Sequence, residues 1–380
     1  MNTRRTYVDI HVLQTVPPSN LNRDDAGSPK QATYGGVRRA RVSSQAWKRA
    51  TRIAFTQAMP REDLATRTRK ISTLLAERIR SAGTVDQAAA ELLAAALLKP
   101  LGITDGKKTG DTAYLLFFGY PQLDRIAGLV RGRERELAGL DARTLDKELK
   151  DLPVRDILAA GHPMDVALFG RMIADIPALN VDAATQVAHA LSTHAAETEF
   201  DYFTAVDDEN PREETGAGMI GTVEFNSATL YRFATVELSQ LARNLDGDAG
   251  AAATALSLFL RAFVTSMPAG HQNSFGHRTM PGLVTVAVRG DQPVNLVTAF
   301  EEPVRPDGHG IERRSAERLA RELQRGTDLW GLAPLSITST YRPASDPDTA
   351  LAPLGPAMPF ADLIAATTET ARQHLINGAA

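Results

Sequence analysis

The chain has no cysteine in its 380 residues. That excludes disulfides and thiolate metal sites, and it fits a reducing compartment. A strong excess of either charge is also missing. The formal net charge is −3, so the molecule as a whole is not a basic nucleic-acid binder. Apolar runs such as Ala88 to Leu98 are too short to cross a bilayer. The first residues, Met-Asn-Thr-Arg-Arg-Thr-Tyr, lack the apolar core of a signal peptide. No membrane partner and a cytoplasmic location are therefore expected. The phosphate-binding Gly-x-x-x-x-Gly-Lys-Ser/Thr loop, the Gly-x-Ser-x-Gly elbow and His-Glu-x-x-His are all absent. There is no internal repeat and no low-complexity tail.

What is present looks globular. Hydrophobic residues make up 43% and charged residues 23%, ordinary values for a folded domain. The length allows two domains, or one domain with insertions. Charge is unevenly placed. Residues 1–52 hold ten Lys/Arg against three Asp, a net of +7 that leaves −10 for the rest. A basic segment on a mildly acidic body points to a localised anion site.

That segment centres on Tyr34 to Arg52. Gly35-Gly36 lets the backbone turn or approach a ligand closely. Arg38, Arg39 and Arg41 follow, then Ser43-Ser44, an N-cap signal. In the helix expected next, Gln45, Lys48, Arg49 and Arg52 share one face. Ala46, Trp47, Ala50, Ile53 and Ala54 form the core face. Helix N-termini offer free N–H groups to anions. The stretch reads either as a cradle for a phosphate backbone or as a solvated cationic helix behind a charged loop.

Tyr7 to Val16 alternates and is β-branched, which predicts a first strand. A polar loop follows, Ser19 to Lys30, holding Arg23, Asp24 and Asp25. Residues 62–150 are rich in helix formers and read as a helical insertion. Within it Arg143, Lys147 and Lys150 fall on one helix face, either a backbone-binding stripe or a solvated face with local ion pairs. Pro163 to Met172 reads as strand-like and ends in Gly170-Arg171-Met172. A projecting acidic hairpin is expected from about 196 to 226, with Phe200, Tyr202 and Phe203 on it. Those rings could stack on bases or anchor the hairpin to its own core. Ala228 to Leu238 is expected as a strand, 250–266 as a helix, and Gly270 to Arg278 as a loop. Leu283 to Val288 is expected as the last clear strand, with helices near 311–325 and 359–376. The order implies an α+β fold resembling the split β-α-β ferredoxin-like pattern. The domains implied are an α+β body at 1–60 and 163–380, and a helical insertion at 61–162.

Enzyme chemistry finds little purchase. His189 and His194 are poorly spaced for a shared ligand and read as structural. The loop with His271 and His277 fits acid–base chemistry, phosphate contact or a plain turn. Asp24 and Asp25 are the best enzyme candidates, as a metal-dependent RNA-cleaving pair. They lack an evident third carboxylate. No cofactor or metal is expected.

Leu21-Asn-Arg-Asp-Asp25, Tyr34-Gly-Gly-Val-Arg-Arg-Ala-Arg-Val-Ser-Ser-Gln45, Lys48-Arg49-Ala50 and Asp201-Tyr-Phe-Thr-Ala-Val-Asp-Asp208 resemble the CasC family. Its members are the crRNA-binding backbone subunits of the type I-E CRISPR Cascade complex. The resemblance spans nearly the whole chain and thins in the helical insertion and the Pro-rich segment near the C-terminus. It implies an RRM-like palm, helical fingers and a β-hairpin thumb. It implies copies stacked along a guide RNA, each thumb displacing one base while the others pair with target DNA. Sister Cascade subunits and a recruited helicase–nuclease are the implied partners, and the subunit itself is expected to be non-catalytic.

Carried over by position, the guide contacts fall on Arg23, Lys30, Ser43, Ser44, Gln45, Lys48, Arg49 and Arg52. The apolar side chains beside the displaced base fall on Met172 and Phe203. The residues facing target DNA fall on Arg143, Lys147 and Lys150, with Thr144 thinning that cluster. Cutting by Asp24 or Asp25 would match more distant, type III backbone subunits, and the type I-E resemblance argues against it.

Overall fold

Alternating β-branched residues at Tyr7–Ser19 build a thirteen-residue strand, β1, at the centre of an antiparallel sheet. The computed structural model describes residues 5–103, 106, 111–205, 219–308, 310–340 and 349–379. The strands that follow are β2 (Gln31–Tyr34), β3 (Val37–Val42), β4 (Ala65–Thr68), β5 (Leu116–Gly119), β6 (Thr185–Val187), β7 (Ala190–Ser192), β8 (Glu199–Ala205), β9 (Met219–Glu237), β10 (Leu283–Arg289) and β11 (Ser336–Ser339). The main sheet runs β11-β10-β1-β9-β7-β3-β2, with β8 paired to β9. β4 and β5 form a separate two-stranded sheet. The fold is mixed α+β, as the sequence implied.

The helices are α1 (Ser44–Ala58), α2 (Ile71–Ser81), α3 (Gln87–Leu98), α4 (Tyr120–Gly128), α5 (Glu134–Ala138), α6 (Ala142–Leu149), α7 (Val154–Ala159), α8 (Met164–Phe169), α9 (Leu238–Asn244), α10 (Ala249–Thr265), α11 (Gln272–Phe275), α12 (Glu312–Trp330) and α13 (Phe360–Ala379). No single helix among the described residues is long and apolar enough to cross a membrane. The pair α9 and α10 passes that test together, but bends by 116°.

Two compact units result. The first comprises residues 1–54, 186–237 and 256–380; the second comprises 55–185 and 238–255. In the first, Leu13, Tyr231, Phe233 and Leu283 of the sheet pack with Ala316, Leu319, Ala320 and Leu323 of α12. In the second, α2, α3, α4 and α6 bury Leu75, Leu93, Leu97, Leu123, Leu145 and Leu149 together. The sequence placed the unit boundaries at 60/61 and 162/163. The second unit instead also holds residues 163–185 and 238–255. Asn244 Nδ2 in α9 donates to the Ala167 and Asp182 carbonyls, which ties this late helix to the earlier segment.

Three local expectations need correction. Pro163 to Met172 is not a strand: Met164–Phe169 is helix α8, opened by Pro163. Five apolar residues around Asp165 make too short a run to separate strand from helix by period. Leu283–Arg289 is not the last strand, because β11 pairs with β10 from Thr285↔Ser339 to Val288↔Ser336. Its Ser-Ile-Thr-Ser sequence gives a weak β signal. Arg38, Arg39 and Arg41 lie not in a loop but in β3. Gly35 and Gly36, at φ 60° and 76°, make the two-residue turn between β2 and β3. A Cβ on Gly35 would lie 1.7 Å from the Glu301 carbonyl oxygen, so this turn also needs glycine for close packing.

The sheet centre carries a titratable group with a stability consequence. His11 is fully buried, and its Nδ1 lies 2.9 Å from the Tyr231 hydroxyl. That hydroxyl also accepts from the Leu296 N–H at 3.1 Å, so His11 and the Leu296 backbone meet at one buried oxygen. Burial first, then the Arg289 charge, pushes the His11 imidazole down to about 3. Below the ordinary value of about 6.5 the unfolded chain takes up a proton that the folded chain refuses. The His11 contribution to stability is therefore intact above about pH 6.5 and is lost as pH falls toward 3. We expect wild type to lose roughly 2 to 3 kcal/mol relative to His11→Phe between pH 6 and pH 4. Paired denaturant melts at the two pH values measure this, and an unchanged difference would contradict it.

Candidate nucleic-acid interface

Helix α1 starts where the sequence placed it. Ser43 is buried, and its Oγ accepts from the Ala46 N–H at 3.3 Å. The Ser43 N–H goes to Asn22 Oδ1 at 2.9 Å, which fixes the Asn20–Lys30 loop against the helix start. The Ser44 N–H goes to His189 Nδ1 at 2.9 Å. The expected open ring of N–H donors is thus partly filled by the protein itself. His189 is structural, as expected, and its role is a helix cap supplied from 145 residues away. Partial desolvation, then Arg41 and Lys30, push its imidazole below the usual value, so it stays neutral and keeps Nδ1 free to accept.

The core face of α1 holds Trp47, fully buried, with Ala50 and Phe55. Arg232, itself buried, lies over the Trp47 ring at 3.7 Å and donates to Gln14 Oε1 at 2.6 Å and to the Phe263 carbonyl. Burial lowers this guanidinium to about 9. Ile53 departs from the expected core face, with 49% of its surface exposed.

On the opposite face Gln45 and Arg49 are exposed, while Lys48, Arg52 and Ser44 are half-buried. Arg23 and Arg38 are exposed, and Lys30 and Arg41 are half-buried. These residues come from the Asn20–Lys30 loop, β3 and α1, all in the first unit. Lys30 and Arg41 are also joined backbone to backbone, Arg41 N–H to the Lys30 carbonyl at 2.9 Å.

Arg39 does not belong to this surface. It is fully buried and donates to the carbonyls of Tyr34, Ser192, Phe300 and Glu301 at 2.8–3.1 Å. Alternation along β3 explains it: Arg38 faces out and Arg39 faces in. All five guanidinium donors of an arginine suit such a cage of carbonyls.

Asp24 shapes its own loop. Its Oδ1 accepts the N–H groups of Ala26 and Ser28 at 2.9 and 3.0 Å, an Asx-type turn. Asp25 is exposed. Among the described residues no group of three His, Asp or Glu is placed to hold a metal ion.

The hairpin β8–β9 pairs from Glu199↔Phe225 to Ala205↔Met219. The expected tip, including Asp207, Asp208 and Pro211, lies outside the described residues. Phe200 and Tyr202 are 67% and 63% exposed, so they do not anchor the hairpin in a core. Phe203 is 42% exposed and pairs with Gly221. A Cβ on Gly221 would lie 2.3 Å from the Phe203 ring, so the ring occupies the space of the missing side chain. Gly221 thus gives the partly exposed ring its seat on the hairpin.

In the second unit, Gly170-Arg171-Met172 is a device for presenting Met172. Gly170 has φ 72°, and a Cβ there would meet the Val181 carbonyl at 2.6 Å. Arg171 is buried and donates to the carbonyls of Leu179, Phe117 and Leu158. Burial lowers it to about 10. Met172, next in the chain, is 86% exposed.

Arg143, Lys147 and Lys150 all point outward, while Leu145 and Leu149 fill the opposite side of α6. Lys147 and Lys150 line a cleft of about 270 Å³ with Ala96, Pro100, Asp146 and Lys99. Lys99 was missed by sequence reasoning, because it comes from a separate helix end. It pairs with Asp146, and Lys150 lies 4.0 Å from Asp151. The stripe is thus both cationic and laced with local ion pairs.

Loop, strand and helix of the first unit thus each leave arginines or lysines exposed or half-buried. The model of the Cas CT1975-like protein family matches residues 8–359, and the chain belongs to that family. It is also similar to a chain solved in a "CRISPR RNA-guided surveillance complex, pre-nicking", at 34% identity and TM-score 0.81, covering 96% of this chain and 100% of that one. A chain from a "CRISPR RNA-guided surveillance complex" matches at 31% identity and TM-score 0.71, covering 96% and 99%. No curated protein matches.

Proposed function

We propose that this protein is a guide-RNA-binding backbone subunit of a CRISPR surveillance complex, of the CasC type found in type I-E Cascade. The observation that carries the reading is the set of cations that the Asn20–Lys30 loop, β3 and α1 leave accessible, Arg23, Arg38 and Arg49 exposed and Lys30, Arg41, Lys48 and Arg52 half-buried, in a chain similar over 96% of its length to one from an RNA-guided complex. Phosphate neutralisation by this face is independent of sequence and sensitive to salt. The sheet-bearing unit acts as an RRM-like palm, the second unit supplies the fingers, and the hairpin is the thumb. Copies stack along one guide in the cytoplasm, beside sister subunits. Each thumb displaces one base against Phe203, and the second unit offers the RNA a further exposed apolar side chain, Met172. Arg143, Lys147 and Lys150, joined by Lys99, face target DNA, and a recruited helicase–nuclease does the cutting. In this reading the subunit itself does no chemistry and needs no cofactor. The engagement of Asp24 Oδ1 by two backbone N–H groups supports that reading over metal-dependent cleavage.

Purification with a discrete long RNA and partner subunits tests the assignment. Incubation of that complex with complementary RNA and Mg²⁺ tests the absence of chemistry. Cleavage that disappears in Asp25→Ala would overturn it. Phe203→Ala should abolish the regular pattern of unpaired, chemically reactive guide bases while leaving overall RNA affinity nearly unchanged. An unaltered reactivity pattern would remove Phe203 from the role.

A further inference from the structure

The segment Gly270 to Arg278, expected as a loop, contains the one-turn helix α11; it belongs to no part of the proposed site, yet many contacts hold it. Gly270 packs so closely that a Cβ would lie 2.5 Å from the carbonyl oxygens of Asn20 and Leu21. His277 is buried, with its Nε2 3.3 Å from the Pro268 carbonyl. Thr279 donates to the Thr15 carbonyl, and Gln14 donates back to the Thr279 carbonyl. Phe275 packs on Phe225, at the base of the hairpin, with ring centroids 5.7 Å apart.

Within this fixed frame one residue is strained. His271 has φ 50° and ψ 28°, a left-handed conformation uncommon for a residue with a side chain. Strain of this kind persists where the surroundings impose it and often marks a functional position. What the conformation achieves is visible: the His271 Nε2 accepts from the Arg23 guanidinium at 3.0 Å. Arg23 is exposed, on the loop that leads from β1 toward β2. A flexible arginine on a surface loop loses side-chain entropy when it binds a phosphate. An acceptor that holds one of its nitrogens in advance removes part of that loss and leaves the other N–H groups free to point outward.

The geometry points to His271 as a positioning residue that presents Arg23 to the guide backbone. This rests on the guide-binding reading above. His271 touches Arg23, and through Arg23 it acts on the RNA.

The test uses the full chain, a labelled single-stranded RNA long enough for several copies, and four proteins: wild type, His271→Gly, Arg23→Ala and the double variant. Glycine relieves the left-handed strain, so His271→Gly should melt no lower than wild type. Its RNA affinity should nevertheless fall about 5-fold. His271→Gln, which restores an acceptor of similar reach, should recover part of the loss. In the Arg23→Ala background the His271→Gly change should have no further effect. Full affinity in His271→Gly, or an equal loss in both backgrounds, overturns the proposal. If it fails while Lys48→Ala with Arg49→Ala still releases RNA, only the positioning role falls. If both variant sets bind as wild type, the guide-binding reading fails and takes this role with it.

Discussion

Replacing Lys48 and Arg49 together by alanine will release guide RNA and leave the protein folded. Arg49 is exposed and Lys48 half-buried on the outer side of α1. The helix is held from its other side by Trp47, Ala50 and Phe55, and its start by the Ser43, Asn22 and His189 contacts. Neither substitution touches that support, and alanine is the best helix former. The melting temperature should therefore stay within experimental scatter. Two lost phosphate contacts should lower the slope of log affinity against log salt by about 1.4 for a single strand. Affinity at physiological salt should drop about 10- to 100-fold. Salt titrations of RNA binding, read beside thermal melts, check both halves. An unchanged slope would mean that α1 does not face the RNA.

Arg39→Ala, one residue from the exposed Arg38, will do the reverse. Its guanidinium fills a buried cage of four carbonyls: Tyr34 at the β2–β3 turn, Ser192 in β7, and Phe300 and Glu301. Removing it leaves these acceptors without a donor and a cavity where the side chain lay. The expected cost is roughly 3 to 5 kcal/mol, most of a typical domain's margin. Lysine will not rescue it, because one ammonium on a flexible stem cannot reproduce the planar fork. We expect both variants to melt roughly 5 to 10 °C lower than wild type. Any RNA that the folded fraction binds should show the wild-type salt slope. A folded Arg39→Ala protein with wild-type melting and weakened RNA binding would place this residue on the surface instead.

The contrast between Arg39 and Arg49 also marks what the sequence could and could not reveal. Helix α1 was legible because its cap, period and core face agree: Ser43 caps it and Trp47 is buried. Ile53 misled because it sits six residues after Trp47, about 120° round the helix and beyond the packed stripe. Arg39 misled because Arg38, Arg39 and Arg41 look alike as a run of cations leading into the helix. Only a strand reading brings in the alternation that turns Arg39 inward. The Gly-Arg-Met motif was legible as a motif, but the work of Arg171 was not, since its acceptors at Phe117 and Leu158 are 54 and 13 residues away. Lys99, and the capping role of the structural His189, escaped for the same reason. Their partners, Asp146 and Ser44, are distant in sequence, and no local period records a contact made by chain folding.

Strand β9 has a mechanical consequence. It runs unbroken through nineteen residues. From Asn226 to Glu237 it pairs with β1, and from Met219 to Phe225 it pairs with β8. The handover is clamped by Asn20 Nδ2, which donates to the Glu224 carbonyl at 2.9 Å. One continuous strand is thus both the middle of the core and one arm of the projecting hairpin, which makes the hairpin a cantilever rather than a tether. A slip of one residue in its register would turn every core side chain of β9 to the wrong face. The sheet interior therefore fixes how far and at what angle Phe203 is held out. The hairpin can serve as a ruler, whose graduation is set by packing around Leu230, Ala234 and Val236.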